Sequence, residues 1–239
     1  MKKNDRILRI IMSVVLVVAM LLLAKEVAGL RGQYVWRSHA KESVKTKSYR
    51  VVLDAGHGGK DPGKVGVTGC YEKEINLLIA KKVKDFLEAE EIEVFLVRDG
   101  DYGLYEETDA NKKNVDMRNR VNFIKEKNPD LVISIHQNSY SDSSIKGAQT
   151  FYGDANVESK ELAQKIQGRL VNVLDKNNHR KAKQNDNYYL LKNTTCPMVI
   201  VESGFLSNDV ECSLLETEYY QEKVAWAIYT GIMQYFNSK

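Results

Sequence analysis

Four side chains that can bind a metal or carry a proton stand at the ends of predicted strands or at a predicted helix start. His57 follows the apolar run 51–53 in a glycine-rich turn, and His136 and Glu202 each end another apolar run. Such runs are typical of buried strands, and open α/β sheets build their sites at the carboxyl ends of strands. Glu72 precedes an amphipathic segment, where a carboxylate interacts favourably with a helix N-terminus. A histidine that ends a strand is often only structural, but two of the chain's four histidines do so here, which favours a shared site.

Two histidines and one carboxylate form the ligand set of a catalytic zinc whose fourth position is left to water. Zinc lowers the pKa of that water from 15.7 to about 7. Hydrolysis also needs a general base that takes the water proton and passes it to the leaving group. Glu202 is the candidate base, because the end of an apolar strand is partly desolvated. Glu74 is an alternative for either carboxylate role, although its place two residues after Glu72 points it in another direction.

Strands and helices alternate along the part of the chain that carries these residues. Extended segments are predicted at 49–54, 92–97, 130–136, 147–152, 188–191 and 198–201, and helices at 74–91, 116–127, 158–176 and 219–236. This alternation predicts a three-layer α/β fold. The polar segments 99–114 and 177–187 are predicted loops, and a long loop in a compact domain often borders a site.

The chain begins with a short basic segment followed by an apolar one. Residues 10–24 contain only Ser13 as a polar member, and as a helix they would span about 22 Å, less than the ~30 Å hydrocarbon core of a bilayer. That length fits a signal peptide, and an uncleaved anchor fits as well because no clean Ala-x-Ala site follows. We therefore predict a signal peptide or membrane anchor at 1–28, a linker at 29–48 and an exported catalytic domain at 49–239.

The charge of the chain argues against one class of partner. Residues 1–29 carry five basic and two acidic side chains, which accounts for the whole net charge of +3. The rest of the chain is neutral, so there is no electrostatic case for nucleic-acid binding.

The three cysteines are too few for a disulfide framework, and none belongs to a Cys-x-x-Cys pair. We interpret Cys70, Cys196 and Cys212 as small buried hydrophobic side chains. Two alternatives stay open: a bridge between Cys196 and Cys212, and a Cys70 thiolate that acts as a zinc ligand.

Four motifs, in this order along the chain, resemble those of the zinc N-acetylmuramoyl-L-alanine amidases of the amidase 3 type. They are LDAGHGG at 53–59, GCYEK at 69–73, SIHQN at 134–138 and VESGFLSN at 201–208. The resemblance extends over residues 49–237. It implies a twisted, mostly parallel central sheet flanked by helices, in agreement with the predicted three layers.

The resemblance also implies roles for individual residues. The zinc ligands would be His57, Glu72 and His136, the catalytic glutamate would be Glu202, and Asn138 would contact substrate or orient the site. The departures from the family pattern remove no ligand. Ala55 replaces the usual proline, and Lys64 stands where a small residue is common.

The implied reaction is hydrolysis of the amide between N-acetylmuramic acid and L-alanine in peptidoglycan. The short chain, without wall-binding repeats, is similar to the germination-specific amidases that strip stem peptides from spore cortex so that muramic-δ-lactam can form. Its expected location is the cell wall or cortex space, membrane-anchored or secreted, and an accessory protein at the wall is a further hypothesis. The alternatives are a zinc peptidase that cuts within the stem peptide and a non-catalytic, wall-binding protein of the same fold.

Overall fold

The computed structural model describes residues 49–239, together with Met12, Leu16 and Met20. The chain divides into two units, Met1–Lys47 and Ser48–Lys239. In the first unit, the three described residues are helical and exposed. The predicted signal peptide or anchor and the linker otherwise lie outside the described residues. Within the described part of the chain, no helix combines the length and the apolar character needed to cross a membrane.

The second unit is built on a single six-stranded sheet. Its strands are β1 (Arg50–Ala55), β2 (Glu93–Leu96), β3 (Leu131–Asn138), β4 (Gln149–Tyr152), β5 (Lys183–Gln184) and β6 (Met198–Phe205). They are ordered β2-β1-β3-β6-β4-β5. The first four strands in this order are parallel, and β4 is antiparallel to β6 but parallel to β5. The mostly parallel sheet that the resemblance implied is therefore confirmed.

Helices cover both faces of this sheet and make the three predicted layers. They are α1 (Glu72–Glu88), α2 (Lys112–Lys127), α3 (Glu158–Val173), α4 (Tyr189–Asn193), α5 (Asp209–Leu215) and α6 (Glu218–Phe236). A first core joins one face of the sheet to α1, α3, α5 and α6, and a second core joins the other face to α2 and α4. Because side chains alternate along a strand, Ile133 of β3 lies in the first core and Val132 in the second.

The structure differs from the sequence prediction in the segments between the main elements. Tyr188 is extended as predicted, but residues 189–191 are not, because one helical turn places both Leu190 and Leu191 in the second core. The sequence patterns also missed β5 and α5. The signal for α5 was present: Asn208 precedes it and Glu211 follows three residues later, a spacing typical of a helix N-terminus. The Asn208 side chain accepts a hydrogen bond from Glu211 N.

Candidate active site

Two of the predicted site residues are brought together by the sheet itself. His136 of β3 and Glu202 of β6 are partners in register on neighbouring parallel strands. Residues paired in this way project from the same face, with adjacent strands about 4.8 Å apart. By the alternation of β3, that face is the one that carries the second core. The strand register therefore places both side chains at one edge of the sheet.

Glu72, at the start of α1, connects the two histidines. Its Oε2 lies 3.2 Å from His57 Nε2, and its Oε1 lies 3.0 Å from His136 Nδ1. The backbone N–H groups of Lys64 and Gln137 also donate to this carboxylate, at 2.8 and 3.1 Å. Burial raises the pKa of Glu72, but the hydrogen bonds from the two histidines outweigh it and hold the pKa well below its ordinary value. The carboxylate is therefore ionised and fixed by donors on several sides.

Glycines in the segment after β1 make this close approach feasible. A Cβ on Gly56 would lie 2.1 Å from the His136 ring, and one on Gly63 would lie 2.5 Å from Glu72 Oε2. His57 itself adopts a φ of 63°, which non-glycine residues rarely adopt. The backbone around His57 is thus held in a conformation that its surroundings must impose.

Asp61 orients the His57 ring. The Asp61 Oδ2 lies 2.9 Å from His57 Nδ1, which leaves Nε2 facing Glu72. Burial lowers the pKa of His57, but the hydrogen bonds to Asp61 and Glu72 outweigh it and raise the pKa to about 9. The hydrogen bond with His57 lowers the pKa of Asp61 to about 2. A carboxylate on the far nitrogen of a histidine is the usual way in which a metal-ligating ring is oriented.

Two buried arginines hold the backbone of the same turn. Arg98 donates to Ala55 O at 2.9 Å and to Gly56 O at 3.0 Å. Arg120 donates to Ala55 O at 3.0 Å and to His57 O at 2.6 Å. Both arginine side chains are almost completely buried. Neither was identified from the sequence, and together they account for how the unusual His57 conformation is maintained.

Glu202 differs from Glu72 in its surroundings. It is 7% exposed, and its Oε1 accepts a hydrogen bond of 3.3 Å from Tyr188 Oη. Its Oε2 is buried and has no hydrogen-bond partner among the described residues. Burial raises the pKa of Glu202, and the negative charge of Glu72 adds to this effect. One oxygen of this carboxylate is thus available to exchange a proton.

Two further candidates from the sequence, Asn138 and Glu74, are not brought into this cluster: the Asn138 side chain binds a backbone N–H group, and Glu74 is exposed. Asn138, at the end of β3, uses its Oδ1 to accept a hydrogen bond of 2.8 Å from Ser139 N, and its contact with substrate stays a prediction. Glu74 is exposed on α1. Tyr188 was missed, because only the folded chain brings it beside Glu202.

The converging residues fit a zinc ion. One ligand atom from each of His57, Glu72 and His136 lies within 4.8 Å of the others. Two imidazole nitrogens and one carboxylate oxygen are the donor set that catalytic zinc prefers. The ionised Glu72 between two imidazoles adds the negative charge that a cation requires, and the unpaired oxygen of Glu202 lies on the strand next to His136.

The sequence and structure of the chain are similar to those of known enzymes. Residues 51–234 match the N-acetylmuramoyl-L-alanine amidase family, Amidase 3. The germination-specific N-acetylmuramoyl-L-alanine amidase of Bacillus subtilis is 40% identical over 192 residues, which cover 79% of this chain and 80% of the relative.

Solved structures agree with this match. The CwlD amidase of Clostridioides difficile, determined in complex with the GerS lipoprotein, is 44% identical with a TM-score of 0.78, over 80% of this chain and all of that one. The amidase AmiC2 of Nostoc punctiforme is 28% identical with a TM-score of 0.70, over 80% and 99% of the two chains. The chain therefore belongs to the N-acetylmuramoyl-L-alanine amidase family and is an enzyme that acts on peptidoglycan.

Proposed function

We propose that the chain is a zinc hydrolase that cleaves the amide between the lactyl group of N-acetylmuramic acid and L-alanine. In this proposal His57, Glu72 and His136 hold the zinc ion, and Glu202 is the general base. The observation that supports it most is the convergence of two imidazoles and one fixed carboxylate beside a second, buried carboxylate with an unpaired oxygen.

The two glutamates have different tasks because their environments differ. Zinc, when bound, polarises the substrate carbonyl and lowers the pKa of a water molecule. Glu72 is surrounded by donors and stays ionised, which suits a ligand. Glu202 has a raised pKa and a free Oε2, so it can accept the proton of the attacking water there and deliver it to the departing amine of L-alanine.

The cleft beside the histidines supplies the surroundings for this proton transfer. Tyr188, Leu190 and Ile200 line it together with His57 and His136. Leu190 and Ile200 are apolar parts of this wall, and the burial of Glu202 itself maintains its raised pKa. Tyr188 Oη, which donates to Oε1, keeps the second oxygen of Glu202 directed away from it.

We further propose that the physiological substrate is spore cortex peptidoglycan, from which the enzyme strips stem peptides so that muramic-δ-lactam can form. The 40% identity with a germination-specific amidase supports this. In this proposal the catalytic domain acts outside the cytoplasmic membrane, anchored or secreted through its N-terminal segment. An accessory protein at the wall would assist it, because the similar CwlD amidase was solved together with a lipoprotein.

Product analysis tests the reaction. Purified full-length chain is incubated with spore cortex and with vegetative peptidoglycan, and the products are labelled at new amines. The proposal expects a free amine on L-alanine and an intact lactyl carboxylate on the muramic acid. New amines only on later residues of the peptide would instead indicate a zinc peptidase, and no new amine at all, even after spore extract is added, would indicate a non-catalytic wall-binding protein.

Chelation tests the cofactor, and a rate comparison tests the partner. Removal of metal should abolish release of the amine, and stoichiometric zinc should restore it. Restoration by magnesium but not by zinc would contradict the zinc proposal. The rate of amine release from cortex is compared between the isolated chain and spore extracts. Equal rates would contradict the need for an accessory protein.

A further inference from the structure

A second cluster of reactive side chains lies next to the segment that leads into α1. Cys70 Sγ and Cys212 Sγ are 3.6 Å apart, although the two residues are separated by 142 positions in sequence. Thr68 Oγ1 lies 3.3 Å from Cys212 Sγ. Both cysteines are reduced in the structure, and no part of the amidase reaction uses them.

The backbone around this pair is arranged for close contact of the two sulfurs. A Cβ on Gly66 would lie 2.6 Å from Cys70 Sγ and 2.7 Å from Cys212 Sγ, so the thiols occupy the space that any larger residue would fill. Gly66 N donates to Cys70 O at 2.8 Å, which closes a tight loop over residues 66–70. Val67 N donates to Leu206 O at 3.0 Å, so this loop is already bound to the chain beyond β6.

We infer that Cys70 and Cys212 form a disulfide bond when the exported domain meets a disulfide oxidant. Cys70 is partly exposed and can be reached from solvent, whereas Cys212 is buried on α5. The oxidant is a low-molecular-weight or protein disulfide, R–S–S–R. Cys70 sulfur attacks it, releasing one R–SH and leaving a mixed disulfide, and Cys212 sulfur then attacks that intermediate and releases the second R–SH.

Two other assignments for these thiols fit the structure less well. Cys196 packs in the second core and Cys212 in the first, so the bridge between these two that the sequence left open would have to cross the sheet. A metal bound by Cys70 and Cys212 would have Glu216 as its third ligand. Glu216 is exposed, and structural zinc sites use four protein ligands.

The proposed bond would join two parts of the catalytic centre. Cys70 lies two residues before Glu72, and α5 follows the strand that carries Glu202. The bond would close a very long loop of chain, and such a constraint removes much conformational freedom from the unfolded state. We therefore expect the oxidised chain to melt about 10 °C above the reduced chain.

Oxidation of the full chain with glutathione disulfide tests this inference. The chain is purified in detergent with reductant, transferred to the oxidant, alkylated and digested without reduction. The expected result is one cross-linked peptide pair containing Cys70 and Cys212, with Cys196 fully alkylated. Cys196→Ser should keep the cross-link and the rise in Tm, whereas Cys70→Ser should lose both.

Three results would overturn the inference. Complete alkylation of Cys70 and Cys212 after exposure to oxidant would show that the pair does not close. A cross-link mainly to Cys196 or between chains would show that the 3.6 Å contact does not direct oxidation. The pair would be assigned to a metal if the chain bound a second equivalent of zinc that protected both thiols from alkylation and was lost in Cys70→Ser. Cys212 is fully buried, so Cys212→Ala would itself alter packing, and Cys70→Ser is therefore the decisive variant. Amide exchange at Gly66 and Val67 is the control that this variant is folded.

Discussion

The two halves of the site are held in position by different means. His136 and Glu202 stand on neighbouring strands in register, so the hydrogen-bond ladder of the sheet places them. His57 comes from a turn with a strained φ, and its position depends on side chains that arrive from distant parts of the chain. We call His136 and Glu202 the strand half of the site, which the backbone positions, and His57 with its turn the turn half, which buried side chains position. The two halves should respond differently to mutation. Loss of the Glu202 carboxylate from the strand half should affect chemistry, whereas loss of the side chains that support His57 in the turn half should affect metal binding and stability.

The largest expected effect is on the chemistry of the strand half. Glu202→Gln keeps the size of the side chain but removes the proton acceptor, so kcat should fall about 10²–10⁴-fold. Zinc content and Tm should stay close to those of the unmodified chain, because Glu202 does not hold the proposed metal. The measurement is amine release from cortex at saturating substrate together with zinc analysis. If Glu202→Gln loses zinc in proportion to activity, Glu202 is a ligand and the assigned role is wrong.

Arg120→Met should give the largest effect in the turn half. Arg120 forms a buried ion pair with Asp54 at 2.5 Å and binds His57 O, so its removal leaves a buried carboxylate without its cation. Breaking a buried pair in this way costs about 3–5 kcal/mol. Urea unfolding at neutral pH measures the loss. Lys125→Met in the last turn of the same helix removes an exposed charge and serves as the control, and equal stability of the two variants would contradict the supporting role of Arg120.

Asp61→Asn isolates metal binding in the same half. The amide keeps a hydrogen bond to His57 Nδ1 but removes the negative charge, and loss of such a partner typically weakens metal affinity about 10–100-fold. Competition with a chromogenic chelator measures this affinity. With zinc in excess, kcat should recover to near its normal value, because Asp61 does not touch Glu202. A kcat that stays low at saturating zinc would instead place Asp61 in the reaction.

The residues that support the His57 turn could not be predicted from sequence patterns, whereas the strand ends could. The strand ends and the helix start are local features, so apolar runs followed by His57, His136 and Glu202 were enough to predict the layered fold and the edge of the sheet at which these side chains meet, while their roles stay predictions. Arg98 and Arg120 gave no comparable signal, because long charged side chains in polar segments are normally exposed. Their burial follows only from the way the turn after β1 packs against other elements.

The ion pair between Asp54 and Arg120 can also be tested through the pH dependence of stability. Burial raises the pKa of Asp54, but the charge of Arg120 and the hydrogen bond from Ser134 outweigh it and hold the pKa below its ordinary value of 3.8. A lowered folded pKa gives stability that is fully present above the ordinary value and is lost as the pH falls below it towards the folded value. The difference in unfolding free energy between the unmodified chain and Asp54→Asn should therefore be constant from pH 7 to about 5 and shrink below about pH 4. A difference that grows on acidification would contradict the pairing.

The smallest expected effect concerns Tyr188, whose hydroxyl donates a hydrogen bond to Glu202 of the strand half. Tyr188 is extended, as the sequence predicted, and precedes the helical turn α4. Tyr188→Phe removes one hydrogen bond to a carboxylate, worth about 1.5–3 kcal/mol at most and less at 3.3 Å, so kcat should fall about 3- to 20-fold with zinc content unchanged. Because Tyr188 stabilises the ionised form of Glu202, the acidic limb of the pH–rate profile should move to higher pH in this variant. Tyr189→Phe, at a neighbouring exposed position, is the matched control and should leave both the rate and the profile unchanged. A Tyr188→Phe profile that overlays the original would mean that the hydroxyl does not act on Glu202, and the strand half would then depend on the sheet alone.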